Sequence, residues 1–202
     1  MPERIVLFDL GNVVVDWQPI RLYRKIFPTE EEARRFCDEV CTLAWHVEHD
    51  LGVPMDENAA RLKADYPHHA DAIDAWRLRW SDMFDGYVDG TEDLVERLHA
   101  AGQPLYGLSN MPAEVWPDML EAFPVMRRLR DVVVSGKEGV VKPDRRIYEI
   151  ALERMGHPAP DNVFFIDDSL RNVEAAAALG FDAHHFKDAA NLEAALKDRG
   201  FL

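Results

Sequence analysis

Two runs of four apolar residues, Ile5-Val6-Leu7-Phe8 and Val163-Phe164-Phe165-Ile166, each stop on an aspartate, Asp9 and Asp167. A run apolar at every position, not at every second one, fits a strand buried on both faces. Ending such a strand on a carboxylate puts that group at the carboxyl edge of the sheet. Open α/β sheets bind their ligands there. Asp9 leads straight into Leu10-Gly11-Asn12, and Asp167 is followed by Asp168. Ser109-Asn110 and Lys142-Pro143 repeat the polar punctuation. Four such endings in this order point to a phosphate and metal site.

From Gly90 onward, strand and helix patterns alternate with short turns. Thr91 is expected to cap a helix that carries Leu94 and Leu98 on one face and stops at Gly102. Strands follow over Pro104 to Leu108, Val132 to Val134 and Ala183 to Phe186. Pro143 is expected to open a helix with Ile147, Ile150, Ala151 and Met155 on one face, and further helices are expected over Leu170–Leu179 and Asn191–Lys197. This alternation implies a parallel sheet with right-handed crossovers. Between Asp16 and about Asp89 the rhythm breaks. Leu22, Ile26 and Phe27 recur at helical spacing, as do Ile73, Trp76, Trp80 and Met83, with no convincing alternating strand. The fold class is therefore α/β: a Rossmann-like parallel sheet flanked by helices, with a small all-helical insert after the first strand. Residues 1–15 and 87–202 make the core and 16–86 the insert.

The net charge of −14 argues against nucleic acid, which calls for a basic stripe. It does not exclude an anionic ligand, because salt screens a diffuse surface charge beyond about 8–10 Å. No apolar run approaches the roughly 20 residues of a membrane span. Met1-Pro2-Glu3-Arg4 runs directly into the first strand, so no signal peptide is expected and a reducing cytoplasm is the default. Cys37 and Cys41, one helical turn apart, read as packing residues. The adjacent pairs His68-His69 and His184-His185 read as surface or strand-end residues, and Trp76 and Trp80 as the core of the insert.

The segments FDLGNVVVDW, LSNMPAEVW, SGKEGVVKPDRRIY and VFFIDDSLRNVEAAAALGF resemble the haloacid dehalogenase-like superfamily. The likeness is to its phosphatase branch with a small helical cap, near bacterial glucose-1-phosphate phosphatases and the phosphatase domain of soluble epoxide hydrolases. In the insert the match centres on Trp45 to Gly52. The resemblance implies that Asp9 is the nucleophile of a Mg²⁺-dependent phosphomonoester hydrolase working through an aspartyl phosphate. Mg²⁺ would be held by Asp9, the Gly11 carbonyl and Asp168, with Asp167 orienting a bound water. Ser109 and Asn110 would hold phosphoryl oxygens, and Lys142 would lie over nucleophile and phosphate. Asn172 would hold Asp168 or a water. Glu114 either faces the pocket or answers a helix N-terminus. The insert would close over the site, with His46 and His49 touching substrate and Tyr23, Trp17 and Trp45 as further pocket candidates.

The chain departs from the usual family pattern at Gly11, where most phosphatases of this superfamily carry a second aspartate that protonates the leaving alcohol. The small-cap relatives also show glycine there. The proton donor is left open among Asp16, His46, His49, a metal-bound water and a substrate hydroxyl. The expected substrate is a small phosphorylated metabolite such as a sugar phosphate, and the protein a monomer or homodimer. Two other readings stand beside this one. A metal-independent 2-haloacid dehalogenase would carry a neutral segment where this chain has Asp167-Asp168-Ser169. A non-catalytic phosphate-binding module would have no need of Asp9. A mutase would generally keep the second aspartate.

Overall fold

Alternate residues of the first apolar run feed two different cores, which fixes the layering of the molecule. In this computed structural model, which describes residues 3–202, the strands are β1 (Ile5–Phe8), β2 (Val15–Trp17), β3 (Phe84–Tyr87), β4 (Leu105–Ser109), β5 (Val132–Val134), β6 (Val163–Asp167) and β7 (Asp182–His185). Met1 and Pro2, on which the expectation about the chain's start partly rests, lie outside the described residues. Five strands form one sheet in the order β5-β4-β1-β6-β7, parallel throughout. β1 is central and buried at all four positions, which is why its sequence shows no polar alternation. Ile5 and Leu7 pack with Tyr148, Phe165 and Phe181 under the helices Arg145–Arg154 and Leu170–Ala178. Val6 and Phe8 face the opposite layer, which includes Leu94, Leu98, Leu192 and Leu196 of the helices Thr91–Ala100 and Ala189–Asp198.

The chain passes from β1 to β4 on one side and reaches β6 on the other. The strand order therefore reverses at the carboxyl end of β1, where such sheets leave a crevice.

Five helices fill the insert: Ile20–Arg24, Glu30–Glu39, Leu43–Asp50, Met55–Asp65 and Ala70–Leu78. The second begins with a reciprocal capping box, in which Thr29 accepts from the Glu32 backbone and Glu32 accepts from the Thr29 backbone. Tyr23, Phe36, Ile73 and Trp76 make its centre, and they belong to the same apolar cluster as Val6 and Phe8. The structure adds strand at both ends of the insert, where sequence periodicity shows none. β2 and β3 pair antiparallel, Val15 with Tyr87 and Trp17 with Phe84, as a ribbon between insert and sheet.

Three helix starts differ from expectation, the last helix beginning at Ala189, two residues before Asn191. Gly90, at φ 79°, takes the N-cap position, and Thr91 is the first helical residue. Its hydroxyl donates back to the Val88 carbonyl at 2.7 Å instead of capping forward. The helix expected to open at Pro143 begins at Arg145, where the Asp144 carboxylate accepts from the Arg146 N–H at 2.8 Å.

Candidate active site

β4, β1 and β6 are adjacent in the sheet, so Ser109, Asp9 and Asp167 meet at one edge. Asp9 is nearly buried; its backbone N–H donates to the Ile166 carbonyl at 2.8 Å, and its Oδ1 accepts from the Leu10 N–H at 2.7 Å. Carboxylate oxygens of Asp9, Asp167 and Asp168 all lie within 4.8 Å of one another. Lys142 Nζ bridges two of them, 2.8 Å from Asp9 Oδ1 and 2.7 Å from Asp167 Oδ2. Its side chain is only 1% exposed, so this ammonium exists to serve those carboxylates. Three clustered acids and one cation leave an excess of negative charge in a desolvated place. Burial drives the Asp9 carboxyl well above the usual carboxylate range; Lys142 opposes the shift, and Asp167 and Asp168 reinforce it. Burial alone would depress Lys142, but Asp9 and Asp167 hold it above an ordinary lysine. Asp168, exposed at the rim, is raised by partial burial and by the neighbouring charge of Asp167.

The remaining charge imbalance and the all-oxygen donor set fit a hard divalent cation. Asp9, Asp167 and Asp168 are the side chains that would hold it.

Lys142 does not end a strand, contrary to the pattern of punctuation along the sequence. It sits in the loop between the short helix Ser135–Glu138 and Arg145–Arg154, and Asn110 holds it there. The Asn110 Nδ2 donates to the Lys142 carbonyl at 3.1 Å, and its Oδ1 accepts from the Lys142 N–H at 2.8 Å. Both ends of that amide are spent on the lysine backbone, and Asn110 also lines a small cavity beside Gly11 and Ser109. It positions Lys142. Asn172 likewise donates to Asp167, at 3.0 and 3.2 Å to its two oxygens, and not to Asp168. With the Ser169 N–H at 2.8 Å and Lys142, these contacts surround Asp167 with donors.

The expected proton donors and pocket residues separate. Asp16 is paired with Arg21 at 2.5 Å and is not part of the carboxylate cluster. His46 lines a small cavity together with Gly11, Ser109, Asn110, Trp17 and Trp80. His49 does not reach this cavity. It is 1% exposed, with its ring 4.5 Å from Trp45, and His46 Nδ1 stands 3.3 Å from its Nδ1. Tyr23 and Trp45 are also absent from the cavity wall. Tyr23 is fully buried against Phe36, and Trp45 packs on His49 and Trp76. Glu114 ties the two parts of the chain together by accepting from the Met55 N–H at 3.2 Å.

Three site-forming residues escape a reading of motifs. Ser135 is wholly buried, and its Oγ accepts from the Met111 N–H at 3.0 Å, fixing the loop after Ser109. Gly136 allows that loop to close, since a Cβ there would stand 2.5 Å from the Ala113 nitrogen. Asp50 lies buried beside the two insert histidines, its Oδ1 3.3 Å from His46 Nε2 but outside hydrogen-bond geometry. Burial pushes its carboxyl up to about 7 despite the Lys142 charge, and pushes His46 and His49 down to about 3 and about 4. The only advance signal for Asp50 was its place in the His-Val-Glu-His-Asp stretch.

A family model described as a haloacid dehalogenase-like hydrolase matches residues 3–180. A sesquiterpene phosphatase of Aspergillus oryzae is 31% identical over 185 residues, which is 92% of this chain and 90% of that protein. An (S)-2-haloacid dehalogenase of Pseudomonas putida is 36% identical over 96 residues, 47% of this chain and 41% of that protein. Among solved structures, a HAD family enzyme of Bacteroides thetaiotaomicron in complex with magnesium and inorganic phosphate matches with a TM-score of 0.72 at 22% identity. It covers 92% of this chain and 95% of that one, a likeness of fold.

Proposed function

We propose that this chain, which belongs to the haloacid dehalogenase-like hydrolase family, hydrolyses phosphomonoesters of small metabolites through an aspartyl phosphate on Asp9. The observation that carries this reading is the buried cluster of Asp9, Asp167, Asp168 and Lys142 at the sheet edge. A carboxylate suits the nucleophile's task. Its oxygen attacks phosphorus, the bond to the leaving oxygen breaks, and the resulting acyl phosphate is open to water. Asp9, Asp167, Asp168 and the Gly11 carbonyl would hold Mg²⁺. When bound, that ion supplies the positive charge by which an anionic nucleophile meets an anionic ester. Lys142 adds a fixed ammonium at Asp9, and Asn110 keeps it aimed by holding its backbone. The Ser109 hydroxyl, at the end of the neighbouring strand, serves the phosphoryl oxygens. Residues 1–15 and 87–202 act as the catalytic core, and 16–86 as a cap that shields the reaction from water.

The sesquiterpene phosphatase relative, matched over nearly its full length, supports phosphate-ester chemistry. The dehalogenase match favours a second reading, attack by Asp9 on a carbon–halogen bond without metal, but it covers under half of this chain. The acid pair Asp167-Asp168 weighs against it, because a metal-independent reaction has no use for that charge.

Phosphate release from a panel of phosphomonoesters, with Mg²⁺ and with chelator, tests the proposal. Chelation is expected to abolish turnover, and Asp9→Asn to lower kcat on the order of 10³-fold or more. Activity that survives both changes refutes it. Halide release from 2-chloropropionate in chelator would install the dehalogenase reading instead.

A further inference from the structure

Resting on the phosphatase reading above, we propose that the leaving group of the ester is apolar, an aryl or alkyl body and not a sugar. The throat beside the catalytic edge is a cavity of ≈ 50 Å³ whose walls include Gly11, Ser109, Trp17, His46 and Trp80. It adjoins an outer groove of ≈ 350 Å³, and Trp80, Phe84 and Met119 form walls of both. Leu78, Ala122 and Phe123 complete the apolar lining of the groove. That volume falls in the range of small-molecule sites. A Cβ on Gly11 would meet nothing within 4 Å, so the missing side chain leaves room in the throat.

Most of the polar side chains around the throat are engaged elsewhere in the chain. Asn110 uses both ends of its amide on Lys142, and His46 Nδ1 is paired with His49 Nδ1 at 3.3 Å, while its Nε2 stands 3.3 Å from Asp50 Oδ1 outside hydrogen-bond geometry. The Ser109 hydroxyl is assigned to the phosphate. In the groove, Arg77 is paired with Asp56 at 2.7 Å, while Ser81, Asp118 and Glu121 stand exposed at the rim. The several hydroxyls of a sugar would therefore outnumber the partners these walls offer, and each one left unpaired costs about 1–3 kcal/mol. An apolar body meets indole, phenyl and thioether surface instead, and gains by leaving water. The indole N–H groups of Trp17 and Trp80 are buried and have no partner among the described residues. Neither nitrogen is open to a ligand, so what these side chains offer the throat is indole ring. The acidic rim further disfavours a leaving group that carries a second anion.

The test compares kcat/KM for octyl phosphate, 1-naphthyl phosphate, glycerol phosphate and glucose 6-phosphate in Mg²⁺. Octyl and glycerol phosphate release alcohols of one kind, so their ratio reports recognition and not leaving ability. Octyl phosphate is expected to exceed glycerol and glucose phosphate by about 10–100-fold. Naphthyl phosphate above or below octyl tells ring from chain, and either order supports an apolar site so long as both exceed the polar esters. Leu78→Asp and Ala122→Asp, both at exposed positions, are expected to lower the octyl-to-glycerol ratio about tenfold. Equal or better turnover of the sugar phosphate, or a ratio untouched by both variants, overturns the proposal while leaving the phosphatase reading intact. No phosphate from any of the four esters overturns both.

Discussion

Lys142 is the residue whose removal should be felt most. Its ammonium is buried and contacts two carboxylates that are themselves buried, Asp9 at 7% and Asp167 at 0% exposure. Replacing it by methionine keeps the stem's bulk but strands like charges in a desolvated site. Breaking a buried pair from one side costs about 3–5 kcal/mol, because the partner's desolvation is no longer compensated. Urea unfolding of Lys142→Met at neutral pH, in chelator, should show a loss of that size. The double variant with Asp9→Asn should recover part of it, since one of the stranded charges is then gone. A loss under about 1 kcal/mol would mean that the lysine is dispensable to this cluster.

At the scale of an element, the helix Leu43–Asp50 carries three buried titratable groups whose pH effects oppose one another. His46 and His49 are held down at about 3 and about 4, below the unfolded histidine value of about 6.5. The unfolded chain therefore binds more protons than the native one, and their contribution is lost as pH falls below about 6.5. Asp50 is pushed up to about 7, so the native state binds more protons there and its contribution is lost as pH rises from about 4 to about 7. Between about pH 4 and 6.5, two groups favour higher pH and one opposes, a net gain of about 1.4 kcal/mol per pH unit. Asp50→Asn removes the opponent. Relative to the parent chain, its stability should gain about 1.4 kcal/mol for each pH unit across that window, as a series of urea titrations would register. An unchanged slope would place the carboxyl's titration elsewhere.

Elements were legible where one strand's own residues decide its fate. β1 and β6 are buried on both faces, and their apolar runs say so without reference to any partner. The ribbon of β2 and β3 was not legible, because Val15-Asp16-Trp17 is too short to show a period and its partner lies far along the chain. Asp9, Lys142, Asp167 and Asp168 announced themselves as polar residues at or near breaks in apolar pattern. Asn172 was found but assigned to the wrong neighbour, and the hold of Asn110 on Lys142 was not foreseen, since which backbone or carboxylate an amide meets depends on loop packing. Ser135 and Gly136 are set wholly by how two loops approach, which no local spacing records.

Over the whole molecule, the insert is joined to the sheet by more than its ribbon. Leu22, Tyr23, Ile73, Trp76 and Met83 belong to one continuous apolar cluster with Val6, Phe8, Phe164 and Ile166. Glu114 bonds the Met55 backbone, and a Cβ on Gly52 would stand 2.8 Å from the Gly136 carbonyl, so contact between the parts extends to backbone distance. A lid that opened as a separate unit would have to split this cluster and expose its aromatic centre. The insert should therefore lose its structure together with the sheet. The chain's own residues supply the probe: Trp17, Trp45, Trp76 and Trp80 lie in the insert or at its entry, and only Trp116 lies elsewhere. Tryptophan emission thus reports mainly on the insert. Circular dichroism reports on the helices of both parts. In urea the two signals should trace coincident transitions with one midpoint, the signature of cooperative unfolding. A fluorescence midpoint below the dichroism midpoint would show the insert melting first, and would return it to the role of an independently folding lid.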